Sequence, residues 1–483
     1  MKRKSVYIVA WAALVGGAAA LRLAALPPAL PDLDAVNFAR ALTSFDLASQ
    51  QPHFPGYPVY VFLARAFAAT GLGEVAALAA PGLLLGVAAV AGLGAVLRRQ
   101  VGEAGAFAAA AVVGFAPLAV LQGALPHSDG AGFAALVLAL AAALAAAAGK
   151  GVGPLAAGMV AGLTLGIRPS YLPALVALPL LFAAGLRLRW IAGLTLGTGL
   201  WLAPLVLMVG PARFVEIAGH FLAGHAGEWG GTVIVRPELA ERLTWLGFDL
   251  GAAGLGLPWS GAVEPARILL ALLLGAGAVA LVAARQPTSL PLRAALLVAL
   301  PYGAWAFLGQ NLIKARHVLP LLAAAALLVA LLPGAVARWR SDLAPAMAGA
   351  LALLLAVVAL PLAREQGRVP TPGAQLVQHV AAALPPAGAS YFTGEEARLF
   401  ERYAPQYRAG RLAGGDELAA AAGRLAQAGV QVYVSSAAPG YERLRPQLEE
   451  VARFSTSRLV RAHANPIVLY RYLPAVAGGG ELP

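Results

Sequence analysis

Cysteine is absent from the sequence, which excludes a disulfide framework and thiolate chemistry. Charge is nearly as scarce. Asp, Glu, Lys and Arg make up 12% of the 483 residues, against roughly 25% in a soluble domain. A chain so poor in charge and 60% hydrophobic cannot face water over most of its surface, so a polytopic membrane protein is the expected class. Acidic residues are few as well, 23 against 35 Lys and Arg, giving a net charge of +12. A basic balance can mark nucleic-acid binding. Here, however, the Lys and Arg lie between apolar runs, which fits orientation in a bilayer and anionic lipid-linked substrates rather than nucleic acid. No internal repeat is visible.

The chain opens Met-Lys-Arg-Lys and continues into an apolar run from Val6 to Leu26. That run is too long for a signal-peptide core, so it reads as an uncleaved first span with a cytoplasmic N-terminus. Ten further apolar stretches approach the ~20 residues that a bilayer demands. They are 75–97, 104–122, 130–148, 152–167, 169–186, 190–209, 266–284, 294–309, 317–333 and 345–363. Eleven spans put Arg98, Arg99, Lys150, Arg187, Arg189, Arg285, Arg293, Arg338 and Arg340 on the inner side, as the positive-inside rule requires. The pair split at Arg168-Pro169 also reads as one broken hairpin.

This topology gives a transmembrane domain over 1–363. Its outer side receives the loop 27–74, the turn His127-Ser128-Asp129, the loop 210–265 and the tail. In the tail, 364–483, charges return and short β-rich runs appear at 389–392, 430–434 and 466–472. Helical patterns fall at 373–384, 395–403, 415–428 and 440–453. Alternation of strand and helix predicts a small extracytoplasmic α/β domain. No Gly-rich phosphate loop follows its strands, so nucleotide binding has no support. The expected location is a bacterial-type inner or plasma membrane.

The first outer loop is denser in polar groups than a connector needs. Asp34 heads an expected helix over 34–46, at the edge of the stripe Phe38, Leu42, Phe45. Asp34 can cap that helix, and Asp32 can cap it equally, leaving Asp34 for chemistry. His53-Phe54-Pro55-Gly56-Tyr57-Pro58 is turn-rich and rigid, either a packed loop or a pocket wall with His53 and Tyr57 as hydrogen-bond donors. Asp129 begins a span and is a cap or a site residue. Arg168 is hard to place structurally within apolar surroundings, whereas Lys314 and Arg316 can snorkel from a span end. In the loop 210–265, His220, His225 and Glu228 are candidate ligands of a divalent metal, although their spacing matches no standard metal motif. The alternative is hydrogen bonding of a substrate by His225 and Glu228, with Trp229 stacked on a sugar. Gly224, Gly227, Gly230 and Gly231 argue against a continuous helix there.

Asp34-x-x-x-Phe38-Ala39-x-x-Leu42, followed by His53-x-Pro55-Gly56-Tyr57-Pro58-x-Tyr60, resembles the first outer loop of GT-C integral membrane glycosyltransferases. It is most similar to the protein O-mannosyltransferase-like branch, which reads Asp-Ser-x-Glu-Phe and then His-Pro-Pro-Gly-Tyr-Pro-Leu-Tyr. Asn37 stands where that branch has Glu, and Phe54 replaces its first Pro. Ser128-Asp129, Gly166-Ile167-Arg168-Pro169 and Lys314-Ala315-Arg316-His317-Val318-Leu319-Pro320 are further likenesses. The resemblance covers the membrane part, about three quarters of the chain. It implies transfer of a sugar from a polyprenyl phosphate to a protein, lipid or glycan acceptor on the outer face. Asp34 would then serve as base, Asn37, His53, Tyr57, Asp129 and His317 as substrate contacts, and Arg168, Lys314 and Arg316 as phosphate partners. A transporter or flippase of lipid-linked intermediates is the alternative. It calls for polar residues at mid-membrane and related halves, and neither is visible. A sensor that binds through the tail would leave the first-loop motif without a purpose.

Overall fold

The computed structural model describes residues 2–259, 264–284 and 289–474. Arg285, expected in an inner loop, lies outside the described residues. The described chain forms two compact units: Met1–Leu26 with Phe38–Gly367, and Pro27–Asn37 with the chain from Arg368 onward. The segment 27–37 thus groups with the tail, and the division falls inside a helix, Leu33–Ala41.

The first unit is helical. In chain order its helices, with the shared one as α2, are α1 (Lys2–Ala24), α2 (Leu33–Ala41), α3 (Pro58–Ala68), α4 (Glu74–Phe115), α5 (Pro117–Ala124), α6 (Ser128–Ala147), α7 (Pro154–Ile167) and α8 (Leu172–Leu175). They continue with α9 (Ala184–Val209), α10 (Pro211–Gly224), α11 (Leu239–Gly247), α12 (Pro265–Ala283), α13 (Leu290–Gly309), α14 (Leu319–Val329), α15 (Leu332–Val336) and α16 (Leu343–Arg368). Among the described residues, eight helical stretches are long and apolar enough to cross a membrane. The difference from eleven has physical causes. The expected spans 75–97 and 104–122 run together in α4, where Gly102 at φ 77° marks the kink. The stretch 152–167 gives only the 14 residues of α7, and 169–186 breaks into short turns around α8 because Pro169, Pro173 and Pro179 withhold helical N–H groups. The helix expected over 34–46 stops at Ala41, where Arg65 caps its last carbonyl through Nε and Nη2 at 2.9 and 2.7 Å.

Helices α7 and α9 pack through small residues. A Cβ on Gly158 or Gly162 of α7 would lie 2.1 or 2.4 Å from the Trp190 or Leu194 carbonyl oxygen, and one on Gly193 or Gly197 of α9 would meet Leu155 O or Met159 O at 2.0 or 2.4 Å. Each helix therefore presents a Gly-x-x-x-Gly face, and the two backbones touch. A second device serves the break between α4 and α5. Pro117 has no N–H, so Val113 O lacks its helical donor. Buried Arg22 of α1 supplies one at 2.9 Å, and also reaches Gly114 O and Ala18 O at 3.0 Å.

The second unit holds α17 (Pro372–Ala383), α18 (Ala397–Tyr403) and α19 (Gly415–Gln427) around a five-stranded sheet. Its strands are β1 (Ala389–Phe392), β2 (Ala409–Gly410), β3 (Gln431–Ser435), β4 (Leu448–Phe454) and β5 (Ile467–Tyr472), in the order β2-β1-β3-β5-β4. β2, β1 and β3 run parallel, with Tyr391 paired to Ala409 and to Tyr433; β5 and β4 are antiparallel. Phe392, Leu418, Val432, Val434, Val468 and Tyr470 fill one core. The helix expected over 440–453 is instead a 3₁₀ turn, Tyr441–Gln447, followed by β4. Leu444, Leu448 and Val451 imitate helical spacing. Pro446 interrupts it, and the Glu449–Arg471 pair across the strands, 2.6 Å, favours the sheet.

Candidate functional site

Three helix breaks in the first unit carry charged side chains to one buried point. Asp129 stands in the first turn of α6, where four orphan N–H groups favour a carboxylate. Arg168 follows α7. Pro169 pushes it out of helical backbone, to φ −147° and ψ 90°, so its side chain leaves the helix axis. Arg316 sits in the 3₁₀ turn Ala315–Val318 that leads into α14. Arg168 Nη2 lies 2.8 Å from Asp129 Oδ1, and Arg316 Nη1 lies 3.8 Å from Oδ2. The shorter approach meets the distance but not the alignment of a hydrogen bond, so it is an ionic contact first. Gly132 makes room for it, since a Cβ there would lie 2.6 Å from Arg168 Cβ.

Neutral polar groups surround the ions. Ser128 Oγ accepts from Arg168 Nη1 at 3.1 Å, and the Tyr171 hydroxyl donates to Asp129 O at 3.4 Å. Tyr57 lies under the Arg168 guanidinium, 5.4 Å from ring centre to Cζ. Tyr57 holds the left-handed conformation, φ 47°, after Gly56 at φ 90°, a costly local geometry for a side-chain-bearing residue. His53 Nε2 and the Tyr57 hydroxyl are 3.1 Å apart, and Phe38 packs edge-on against His53, Tyr57 and Tyr60. The Tyr302 hydroxyl donates to His317 O at 2.8 Å, while His317 Nδ1 lies 2.7 Å from Asn311 O. Lys314 is half-buried at the start of that turn. One carboxylate thus faces two guanidiniums.

The structure brings together His53, Tyr57, Asp129, Arg168 and Arg316, with His317 beside them in the chain. Sequence reasoning missed Tyr171 and Tyr302. Tyr171, three residues after Arg168, offered a spacing signal; Tyr302 lies inside an apolar helix and offered none.

Residues 211–229 form α10 and a continuing π turn, His225–Trp229, so Gly224 and Gly227 do not interrupt the helical path as expected. His225 Nε2 is 2.9 Å from Gly309 O, and its ring packs with Trp229, Phe221 and Trp305. His220, Glu228 and Trp229 are exposed. Among the described residues, no three His, Cys, Asp or Glu side chains gather as a metal site would need. A buried carboxyl that sequence reasoning overlooked is Asp249, in the π turn Phe248–Leu255. Among the described residues neither of its oxygens has a hydrogen-bond partner, and burial pushes its pKa well above the usual carboxylate value.

In the second unit, Asp32 rather than Asp34 caps α2, accepting from Ala35 N at 3.1 Å and pairing with Arg461 at 3.3 Å. Asp34 occupies the first helical turn, half-exposed. Asn37 is fully buried, and among the described residues neither of its amide atoms has a hydrogen-bond partner.

No protein-family model matches the sequence, and no curated protein matches it. Solved structures do. The chain is similar to ArnT from Cupriavidus metallidurans bound to undecaprenyl phosphate, at 16% identity and TM-score 0.52, over 99% of this chain and 100% of that one. It is also similar to the archaeal oligosaccharyltransferase AglB from Archaeoglobus fulgidus, in complex with an inhibitory peptide and a dolichol-phosphate. There the identity is 14% and the TM-score 0.51, over 90% of this chain and 70% of that one. The likeness is one of fold, shared with these two proteins.

Proposed function

We propose that the chain is a membrane glycosyltransferase that moves a sugar from a polyprenyl-phosphate donor to an acceptor, with the Asp129–Arg168–Arg316 cluster as the seat of the donor phosphate. The observation that carries this reading is the convergence of two guanidiniums, one buried and one half-buried, on a single buried carboxylate at the breaks of three helices. Planar guanidinium N–H groups suit a phosphate, which can accept from both arginines at once. The two structures described above contain a polyprenyl phosphate, undecaprenyl phosphate with ArnT and dolichol-phosphate with AglB.

The chemistry follows from that seat. The acceptor oxygen attacks C1 of the sugar, the bond from C1 to the phosphate oxygen breaks, and the configuration at C1 inverts. Asp34 takes the acceptor proton. Arg168 and Arg316 meet the charge that grows on the departing polyprenyl phosphate. Asp129 holds both guanidiniums in place, and Tyr57, oriented by His53, forms the wall beneath Arg168. The N-terminus lies in the cytoplasm, and transfer occurs on the outer face. Support for Asp34 comes from its place in the first-loop motif.

The test follows sugar transfer from lipid-linked donors in membranes that contain the Asp34→Asn, Arg168→Ala and Arg316→Ala variants. Each is expected to lower turnover by about 10² or more, the typical loss for a general base or a charge-stabilising donor. Full activity of Asp34→Asn at normal expression would remove it from the role of base. Full activity of both arginine variants would overturn the phosphate seat.

A further inference from the structure

The second unit contains a crevice with the architecture of a ligand site. Strands β1, β2 and β3 are parallel; the chain leaves β1 toward β2 on one side and leaves its neighbour β3 toward β4 on the other. In open α/β sheets, the carboxyl edge at such a reversal is where ligands bind. A cavity of about 300 Å³ lies there. It is lined by Glu395 and Glu396 after β1, Arg411 after β2 and Ser436 after β3, and by Asp32, Arg461 and His463. Its volume is at the low end of ligand pockets, about 300–1,000 Å³.

Several features set this crevice apart from a packing defect. Gly394 permits the β1 and β3 loops to meet, since a Cβ there would lie 2.3 Å from Ala437 O. Ala464, in its wall, holds φ 49°, an uncommon conformation for a non-glycine residue and one that gathers at functional sites. Buried Glu396 is locked in place, accepting from Gly394 N and Ser435 Oγ at 2.8 Å. Arg461 pairs with Asp32 at 3.3 Å, and His463 lies 3.8 Å from Glu395. Arg411 is exposed at the mouth and forms no ion pair among the described residues.

The charges decide the ligand class. Three carboxyl groups stand against two guanidiniums and one imidazole, so an inorganic anion would meet repulsion. A hydroxyl group donates and accepts at once and can use a carboxylate and a guanidinium side by side. We propose that this crevice is a saccharide-binding site that takes a neutral, hydroxyl-rich sugar unit. Its identification as the acceptor's docking site rests on the glycosyltransferase reading; the binding itself does not.

The test uses the purified full chain in detergent, titrated with a panel of methyl glycosides of common hexoses and N-acetylhexosamines. Contact is read by saturation-transfer NMR. At least one glycoside should bind. Arg411→Ala and Glu395→Gln, both at accessible positions, should each weaken it about tenfold with unchanged thermal unfolding, the loss of one hydrogen bond to a charged group. Inorganic phosphate should not compete. Arg316→Ala should abolish sugar transfer and leave glycoside binding intact, which separates this proposal from the enzymatic one. If no glycoside binds, if both crevice variants bind as the parent does, or if phosphate displaces the sugar, the proposal is overturned. If wild-type protein binds a glycoside through the crevice but transfers nothing, the enzymatic reading falls and the site stands.

Discussion

Asp129→Asn tests the ionic cluster most directly, because it removes charge and leaves shape. At an effective dielectric near 20, Arg168 at 2.8 Å and Arg316 at 3.8 Å attract the carboxylate by roughly 6 and 4 kcal/mol, before desolvation offsets most of it. Breaking a buried pair from one side typically costs about 3–5 kcal/mol, since the remaining charge is left uncompensated. Asp129→Asn removes the carboxylate that both guanidiniums face, so its cost should fall in that range. Arg316→Leu leaves a balanced Asp129–Arg168 pair and should cost less. The double variant retains one guanidinium in place of two that repel each other. It should therefore be less destabilised than the two single effects combined, by about 1–3 kcal/mol. The assay is thermal unfolding of purified protein in one fixed detergent, followed by tryptophan fluorescence, with and without undecaprenyl phosphate. The lipid phosphate should stabilise the parent by about 2.7 kcal/mol at a hundredfold excess over Kd, and Arg316→Leu much less. A cost for Asp129→Asn below about 1 kcal/mol, or additivity of the two changes, would refute the reasoning.

Arg22→Met should destabilise by about 3 kcal/mol or more, because the Val113 and Gly114 carbonyls lose their donor inside the fold; the same unfolding assay reads it. Gly193→Leu should separate α7 from α9 and cost several kcal/mol, since its side chain would meet the Leu155 backbone, whereas Gly199→Leu, with open space at its Cβ, should be silent. Asp249→Leu should stabilise by about 1–3 kcal/mol by removing two buried oxygens without partners. The pH dependence gives a sharper check. Burial raises the folded pKa of Asp249, so the folded state holds its proton more tightly and stability falls as pH rises above the ordinary value of 3.8. Unfolding midpoints compared at pH 4 and pH 7 should fall less in Asp249→Leu than in the parent, and an equal fall would exclude Asp249 as the source.

Much of this molecule was legible in the sequence because bilayer burial leaves long apolar runs. The predicted spans lie on helical structure except 169–186, which breaks into short turns around α8, and β1, β3 and β5 fall on the three apolar runs of the tail. The errors arose where a local pattern had two solutions. Leu444, Leu448 and Val451 fit a helix by spacing, but Pro446 and the cross-strand Glu449–Arg471 pair selected a strand. The glycines at 224 and 227 signalled a break, but the backbone continued through a π turn. At the site, Arg168 announced itself by standing in an apolar stretch. Its partner did not, because a carboxylate in a first helical turn looks the same whether it caps the helix or binds an ion 39 residues away. Tyr302 was invisible for a related reason. A single hydroxyl within an apolar run leaves no periodic trace.

The distinction that matters most among the basic residues is also three-dimensional. Arg22 serves carbonyls beside Pro117, Arg65 the end of α2, and Arg242 the end of α13, donating to Gln310 O at 2.9 Å and to Phe307 O at 2.7 Å. Each fills orphan acceptors that helix termini create. Such an arginine is held chiefly by backbone carbonyls. Arg168 and Arg316 are turned on a carboxylate instead. A carboxylate can share a guanidinium with an incoming phosphate, because five N–H donors in a planar fork exceed what one anion accepts. The two kinds should separate by experiment. Arg→Lys at position 22 or 242 should weaken stability without changing the response to lipid phosphate. The same change at 168 or 316 should largely preserve stability, since the charge is kept, while the lipid-phosphate shift shrinks with loss of the bidentate geometry. If Lys at 168 and 316 keeps the full lipid-phosphate shift, the fork is not what the phosphate uses, and these two arginines belong with the helix-end set.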